Sequence, residues 1–199
     1  MKLIRWFFQG EVIFAGFLFS SVFKGMFNFP IDLTFVFMTL VVIVVVKRLF
    51  EQPEIIKKAI WPIIIFIILC LAMMVSLLYT PSVIYAQEKL IKFITITAFS
   101  FVGVFILLKN KKSLNLFVRG LMFYGSATVL LVLYNHFTSD YQAYRLGVGE
   151  ENGNILGLAR LAGVTSIILL IFTFFNKSSI KLKVVYFTLF VFSIFVLLL

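Results

Sequence analysis

Apolar runs of nearly membrane-spanning length follow one another along this chain, parted only by short polar clusters. A helix needs about 20 such residues to cross the hydrocarbon core of a bilayer. Seven candidates meet that description: about Gln9 to Phe27, Leu33 to Val46, Ile60 to Tyr79, Leu90 to Leu108, Leu116 to Phe137, about Ile155 to Phe175, and Val184 to Leu199. The pattern predicts an all-α, polytopic transmembrane bundle of about seven spans that occupies residues 1–199 as a single membrane domain. Composition agrees. Only 13% of the 199 residues are charged and 62% are hydrophobic, whereas a soluble domain carries about 25% charge.

Charge placement orients the bundle. Of the 18 basic residues, Lys24, Lys89, Lys92, Arg145 and Arg160 fall on one side of the expected membrane. The other thirteen, among them Lys2, Arg48, Lys57, Lys109, Lys111 and Lys112, fall on the opposite side. The positive-inside bias therefore puts the N-terminus inside and the seventh helix running outward. The net charge of +10 does not point to nucleic acid, because the basic residues sit in short clusters between apolar runs. Lys2 and Arg5 give a basic start, but Glu11 interrupts the run behind them and no small-residue cleavage site follows. The start reads as a first membrane helix, not as a signal peptide. That helix is the least regular of the seven, crowded by Glu11 and Lys24. The apolar end FTLFVFSIFVLLL has no polar cap and reads as a chain cut short.

Several kinds of chemistry find no support. No His/Cys/Asp/Glu cluster has metal-ligand spacing, so no metal and no cofactor are expected. His136 is the single histidine. Cys70 lies inside an apolar run and reads as a small hydrophobe. Pro81 is expected to stop the third helix, and Glu51 to Pro62 to form a connector on the inner side.

One stretch departs from the rest. YRLGVGEENGNILGLARLAG, Tyr144 to Gly163, gathers Arg145, Glu150, Glu151, Asn152, Asn154 and Arg160 between glycines. It falls outside, between the fifth and sixth helices. Asn154 can cap the sixth helix, whose N-terminal N–H groups favour an anion. Arg160 lies ~9 Å further along that helix. A guanidinium fork matches phosphate oxygens, so Arg145 and Arg160, joined by Lys89, suit the diphosphate of a lipid. Glu150 or Glu151 can act as a general base toward a sugar hydroxyl. The plainer reading stands beside this one. Arg145 then pairs with Asp140, Glu150 or Glu151 in a solvated loop, while Arg160 and Lys89 reach to lipid headgroups.

Four pieces of sequence, in order, resemble the bacterial O-antigen polymerase and O-antigen ligase superfamily. NFPIDLTF leads into the second helix. SLLYTPSVIYAQEKLIKF crosses from the third to the fourth. KNKKSLN precedes the fifth. YRLGVGEENGNILGLARLAG matches the family's outer loop and following helix through Arg145, Gly149, Asn154 and Gly157. The resemblance covers the N-terminal half of such a protein. The family's large outer loop, with a further Arg and a His, lies beyond it, and His136 does not fit that position. Asn152-Gly153-Asn154 stands where Asn-Pro-Asn is frequent.

The resemblance implies polymerisation or ligation of undecaprenyl-diphosphate-linked surface polysaccharide repeats at the outer face of the bacterial cytoplasmic membrane. Arg145 would be catalytic, and Arg145, Arg160, Lys89 and Asn154 would hold the lipid diphosphate. It implies no cofactor. Its partners would be membrane lipids, the undecaprenyl-diphosphate-linked oligosaccharide, and a chain-length regulator or other polysaccharide assembly proteins. As a half of such a protein, the isolated chain would be inactive. Two other classes compete: a transporter or flippase of lipid-linked sugars, and a non-catalytic membrane subunit. A transporter requires polar groups along a midplane pathway, and the middles of these helices are mainly apolar.

Overall fold

A computed structural model describes residues 2–26, 32–80, 82–138, 155–175 and 179–198. Among them the chain is all helix and connection. In order these are α1 (Lys2–Phe7), α2 (Gly10–Met26), α3 (Leu33–Glu51), α4 (Glu54–Ser76), α5 (Val83–Lys92), a π-helical turn (Phe93–Thr97), α6 (Ala98–Leu107), α7 (Lys111–Thr138), α8 (Ile155–Phe175) and α9 (Ile180–Leu198). The described parts of the seven expected apolar segments are mostly helical, with Leu90 to Leu108 divided among α5, the π turn and α6. Five stretches are long and apolar enough to cross a membrane: Leu33–Glu51, Ala59–Ser76, Ile84–Leu107, Lys111–Tyr134 and Ile180–Leu197. Gly10–Ser20 and Arg160–Phe175 are shorter apolar helical stretches among the described residues. The chain is a multi-pass, membrane-spanning helical protein.

Some expected boundaries require correction. The connector expected from Glu51 to Pro62 is mostly helix: α4 starts at Glu54, leaving Gln52 and Pro53 between α3 and α4. Glu54, Ile55, Lys57 and Ala59 favour or tolerate helix, and Pro62 sits inside α4. A helix surrounded by lipid and other helices accepts an interior proline that would break one in water. The third helix ends at Ser76, before Pro81, which lies outside the described residues. α7 begins at Lys111, so the Lys-rich segment ahead of the fifth span is largely its first turn.

The chain divides into two compact units, Met1–Phe14 with Phe35–Asn115, and Ala15–Thr34 with Leu116–Leu199. In the first, α2 packs closely on its neighbours through glycines. A Cβ at Gly10 would collide with the Val44 side chain of α3, and one at Gly103 of α6 would stand 3.0 Å from the Phe14 ring. Phe66 of α4 stacks on Phe93 at 5.2 Å and on Phe101 at 5.8 Å. The wide π turn between α5 and α6 takes up an extra residue, which lets both rings of the rod meet the same partner.

In the second unit, Val129, Val132 and Leu133 of α7 pack with Ala162 of α8 and Val196 of α9. The hydroxyls of Ser166 and Ser193 meet at 2.7 Å across α8 and α9, the kind of polar contact that joins helices in lipid. Gly125 faces Thr165, whose Cβ would lie 2.9 Å from an added methyl. The Thr165 hydroxyl donates to the Leu161 carbonyl at 2.7 Å, which holds the side chain in place. Gly125→Ala is expected to destabilise this unit by about 1–3 kcal/mol, the usual result of overpacking. Thermal unfolding of the purified protein checks this, and Thr165→Ala in the same chain should recover part of the loss. A Gly125→Ala protein as stable as the parent would show that α7 and α8 have room to part.

Candidate functional site

The polar groups expected to carry function divide between described and undescribed residues. Arg145, Glu150, Glu151 and Asn154 lie outside the described residues. Arg160 is on the second turn of α8, exposed, and forms no ion pair among the described residues. Lys89 is exposed on α5, with its ammonium 5.1 Å from the centre of the Tyr85 ring. That cation–π contact leaves the ammonium open to an anion. Arg160 belongs to the second unit and Lys89 to the first.

The best-formed polar site among the described residues was not expected. Glu11, which looked like a flaw in the first helix, is 4% exposed. Arg48 donates to its carboxylate at 2.6 Å. A second nitrogen of the same guanidinium donates to the Leu107 carbonyl at 2.9 Å. One side chain thus joins α2, α3 and α6 within the first unit.

Each contact also suits the helix ends involved. Glu11 stands in the first turn of α2, the positive end, while Arg48 stands in the last turn of α3 and bonds the last residue of α6, both negative ends. The rigid fork of arginine can serve both acceptors at once, which a lysine ammonium does less well. Burial of two charges in an apolar setting is costly unless they are paired and hydrogen-bonded, and here both conditions hold. Beside them the side-chain carbonyl of Gln9 is buried with no hydrogen-bond partner among the described residues.

The same end of this unit holds a second contact, in which the Lys109 ammonium donates to the side-chain carbonyl of Gln52. Residues 48 and 52 of one chain segment therefore grip residues 107 and 109 of another. Next to this grip is an open cavity of about 410 Å³ lined by Glu51, Gln52, Pro53, Glu54, Ile55, Phe105 and Lys109.

A signal for the Glu11–Arg48 pair was present in the sequence. Positions 11 and 48 are equally far from residues 29 and 30, in the connection between the first two apolar runs. Antiparallel neighbours bring such positions level. The arrangement is a clamp, with the Glu11 carboxylate taken up by Arg48; among the described residues no three His, Cys, Asp or Glu groups could hold a metal ion.

Comparison of the chain with family models, with curated proteins and with solved structures gives no match.

Proposed function

We propose that this protein takes part in polymerising or ligating undecaprenyl-diphosphate-linked polysaccharide repeats at the outer face of the bacterial cytoplasmic membrane. The observation that carries the reading is the segment Tyr144–Gly163, where cations, carboxylates and glycines interrupt an otherwise apolar chain. The same order of motifs that resembles the O-antigen polymerase and ligase superfamily leads up to it. Support comes also from Arg160 and Lys89, exposed cations on apolar helices. The reading takes the chain as seven spans with the N-terminus inside, following its basic residues.

In this reading Arg145, with Arg160 and Asn154, binds the lipid diphosphate. A sugar hydroxyl on the acceptor attacks the anomeric carbon of the donor glycan. The bond from that carbon to the diphosphate oxygen breaks as the new glycosidic bond forms. The hydroxyl proton passes to a base, for which Glu150 and Glu151 are the candidates. The lipid diphosphate leaves with the bonding electron pair, and the cations stabilise its added charge.

The test uses membrane vesicles from cells that make the protein, supplied with a lipid-linked oligosaccharide and compared with vesicles from cells that lack it. New glycosidic bonds support the proposal. Movement of the oligosaccharide across the bilayer without new bonds assigns the protein to transport instead, and neither outcome points to a non-catalytic subunit. The orientation has its own test. In a Cys70→Ala background, Glu150→Cys is expected to react with an impermeant thiol reagent from outside the cell. Labelling from the cytoplasmic side alone would overturn both the topology and the site.

A further inference from the structure

We infer that the cavity between the α3–α4 connection and the end of α6 binds a zwitterionic phospholipid headgroup bearing a phosphate and a primary ammonium, as in phosphatidylethanolamine. The cavity lies where three membrane-crossing stretches end or begin. Leu33–Glu51 ends at its edge, Ile84–Leu107 ends beside it, and the helix containing Ala59–Ser76 starts there at Glu54. It therefore belongs to the headgroup layer whichever way the chain is oriented. Its volume of about 410 Å³ falls within the range of small-ligand sites, ~300–1,000 Å³.

Its lining has both signs of charge on an apolar base. Lys109 and Glu54 both face the cavity, yet neither forms an ion pair among the described residues. Among the described residues Lys109 donates to the neutral amide of Gln52. Glu51 adds a second carboxylate, loosely associated with Lys47 at 3.9 Å. Arg48 is already engaged by Glu11 and Leu107, which leaves Lys109 as the cation of the cavity. Pro53, Ile55 and Phe105 form the apolar part. Phe105 is 43% exposed on a lipid-crossing stretch, so acyl chains can continue from the cavity along the helix.

A headgroup with one phosphate and one ammonium complements this set. The phosphate meets Lys109, and the ammonium donates to Glu54 and Glu51. A trimethylated ammonium has no N–H to donate, and a glycerol headgroup brings no cation for the carboxylates.

The experiment is native mass spectrometry of the full chain in detergent, titrated with phosphatidylethanolamine, phosphatidylcholine and phosphatidylglycerol of identical acyl chains. The ethanolamine lipid is expected to bind about tenfold more tightly than the choline lipid, the effect of a charge-assisted hydrogen bond. Glu51→Gln with Glu54→Gln should remove that preference while leaving choline-lipid binding unchanged, and either single change should reduce it. Lys109→Gln should weaken both lipids. Equal binding of the ethanolamine and choline lipids would overturn the inference. So would tighter binding of the glycerol lipid, which would mean that the surrounding lysines attract any anionic headgroup. A preference that survives the double change would place the ethanolamine site elsewhere. Circular dichroism of each variant confirms that helix content is kept.

Discussion

Arg48→Ala is expected to destabilise the first unit by about 3–5 kcal/mol, as the loss of one partner from a buried ion pair does. The variant leaves the Glu11 carboxylate almost fully buried with no cation, and it also strips the Leu107 carbonyl of its donor. Glu11→Ala should cost a similar amount for the opposite reason, because a guanidinium is then left without its carboxylate. Arg48→Lys should fall between Ala and the parent, since one ammonium replaces a fork that reached two acceptors. The informative variant is the double one. Glu11→Leu with Arg48→Met removes both charges, and apolar replacement of a buried pair is often neutral or stabilising. It should recover most of the stability lost by either single alanine. Unfolding in mixed micelles, followed by loss of helical signal, measures all four. Single alanines that unfold with the parent would show that water reaches Glu11 and Arg48 freely.

The second large effect concerns activity. Under the proposed function, Arg145→Ala is expected to abolish polymer, by at least about 10²–10³-fold, the usual loss when a group that stabilises developing negative charge is removed. Membrane abundance should stay at the parental level, which separates a loss of chemistry from a loss of protein. Arg145→Lys should restore activity in part: the charge returns, but the paired N–H geometry that fits phosphate oxygens does not. Polymer of normal amount and length from Arg145→Ala, measured in cells lacking the parental protein, would rule out the assignment.

The helices were legible because the bilayer imposes a length. Apolar runs such as Leu33 to Val46 and Ile155 to Phe175 announce themselves without any knowledge of packing, and each is found on a helix. The ends were harder to read. The connector expected from Glu51 to Pro62 is mostly the start of α4, which begins at Glu54. Lys47 and Arg48 were read as the close of the second span, but α3 continues to Glu51. Charge does not end a helix whose last turn reaches the headgroup layer.

What the sequence concealed most was pairing between segments. Glu11 on its own reads as a flaw in an apolar run, and Arg48 as one more inner cation. Their meaning is set by contact across 37 positions of chain. Leu107 was harder still, since it takes part through a backbone carbonyl and a main-chain acceptor has no mark in a sequence. Arg160 and Lys89, by contrast, stand alone on their helices and are exposed.

The burial of α2 bears on how the protein is made. Residues 10–17 are all buried, and α2 leaves the ribosome ahead of both segments that hold Glu11 in place. At that moment Arg48 has not yet emerged, and Leu107 follows far behind it. A lone acidic side chain in a membrane helix carries a cost of up to ~3 kcal/mol, and α2 has 17 residues, short for a bilayer. It is therefore poorly suited to enter lipid alone. Its natural companion is α3, which delivers Arg48 to the level of Glu11 as soon as the hairpin closes. The pair would enter as a neutral unit, and α6 would join when its last carbonyl arrives. The clamp thus sets an order of events during insertion as well as a geometry in the finished protein.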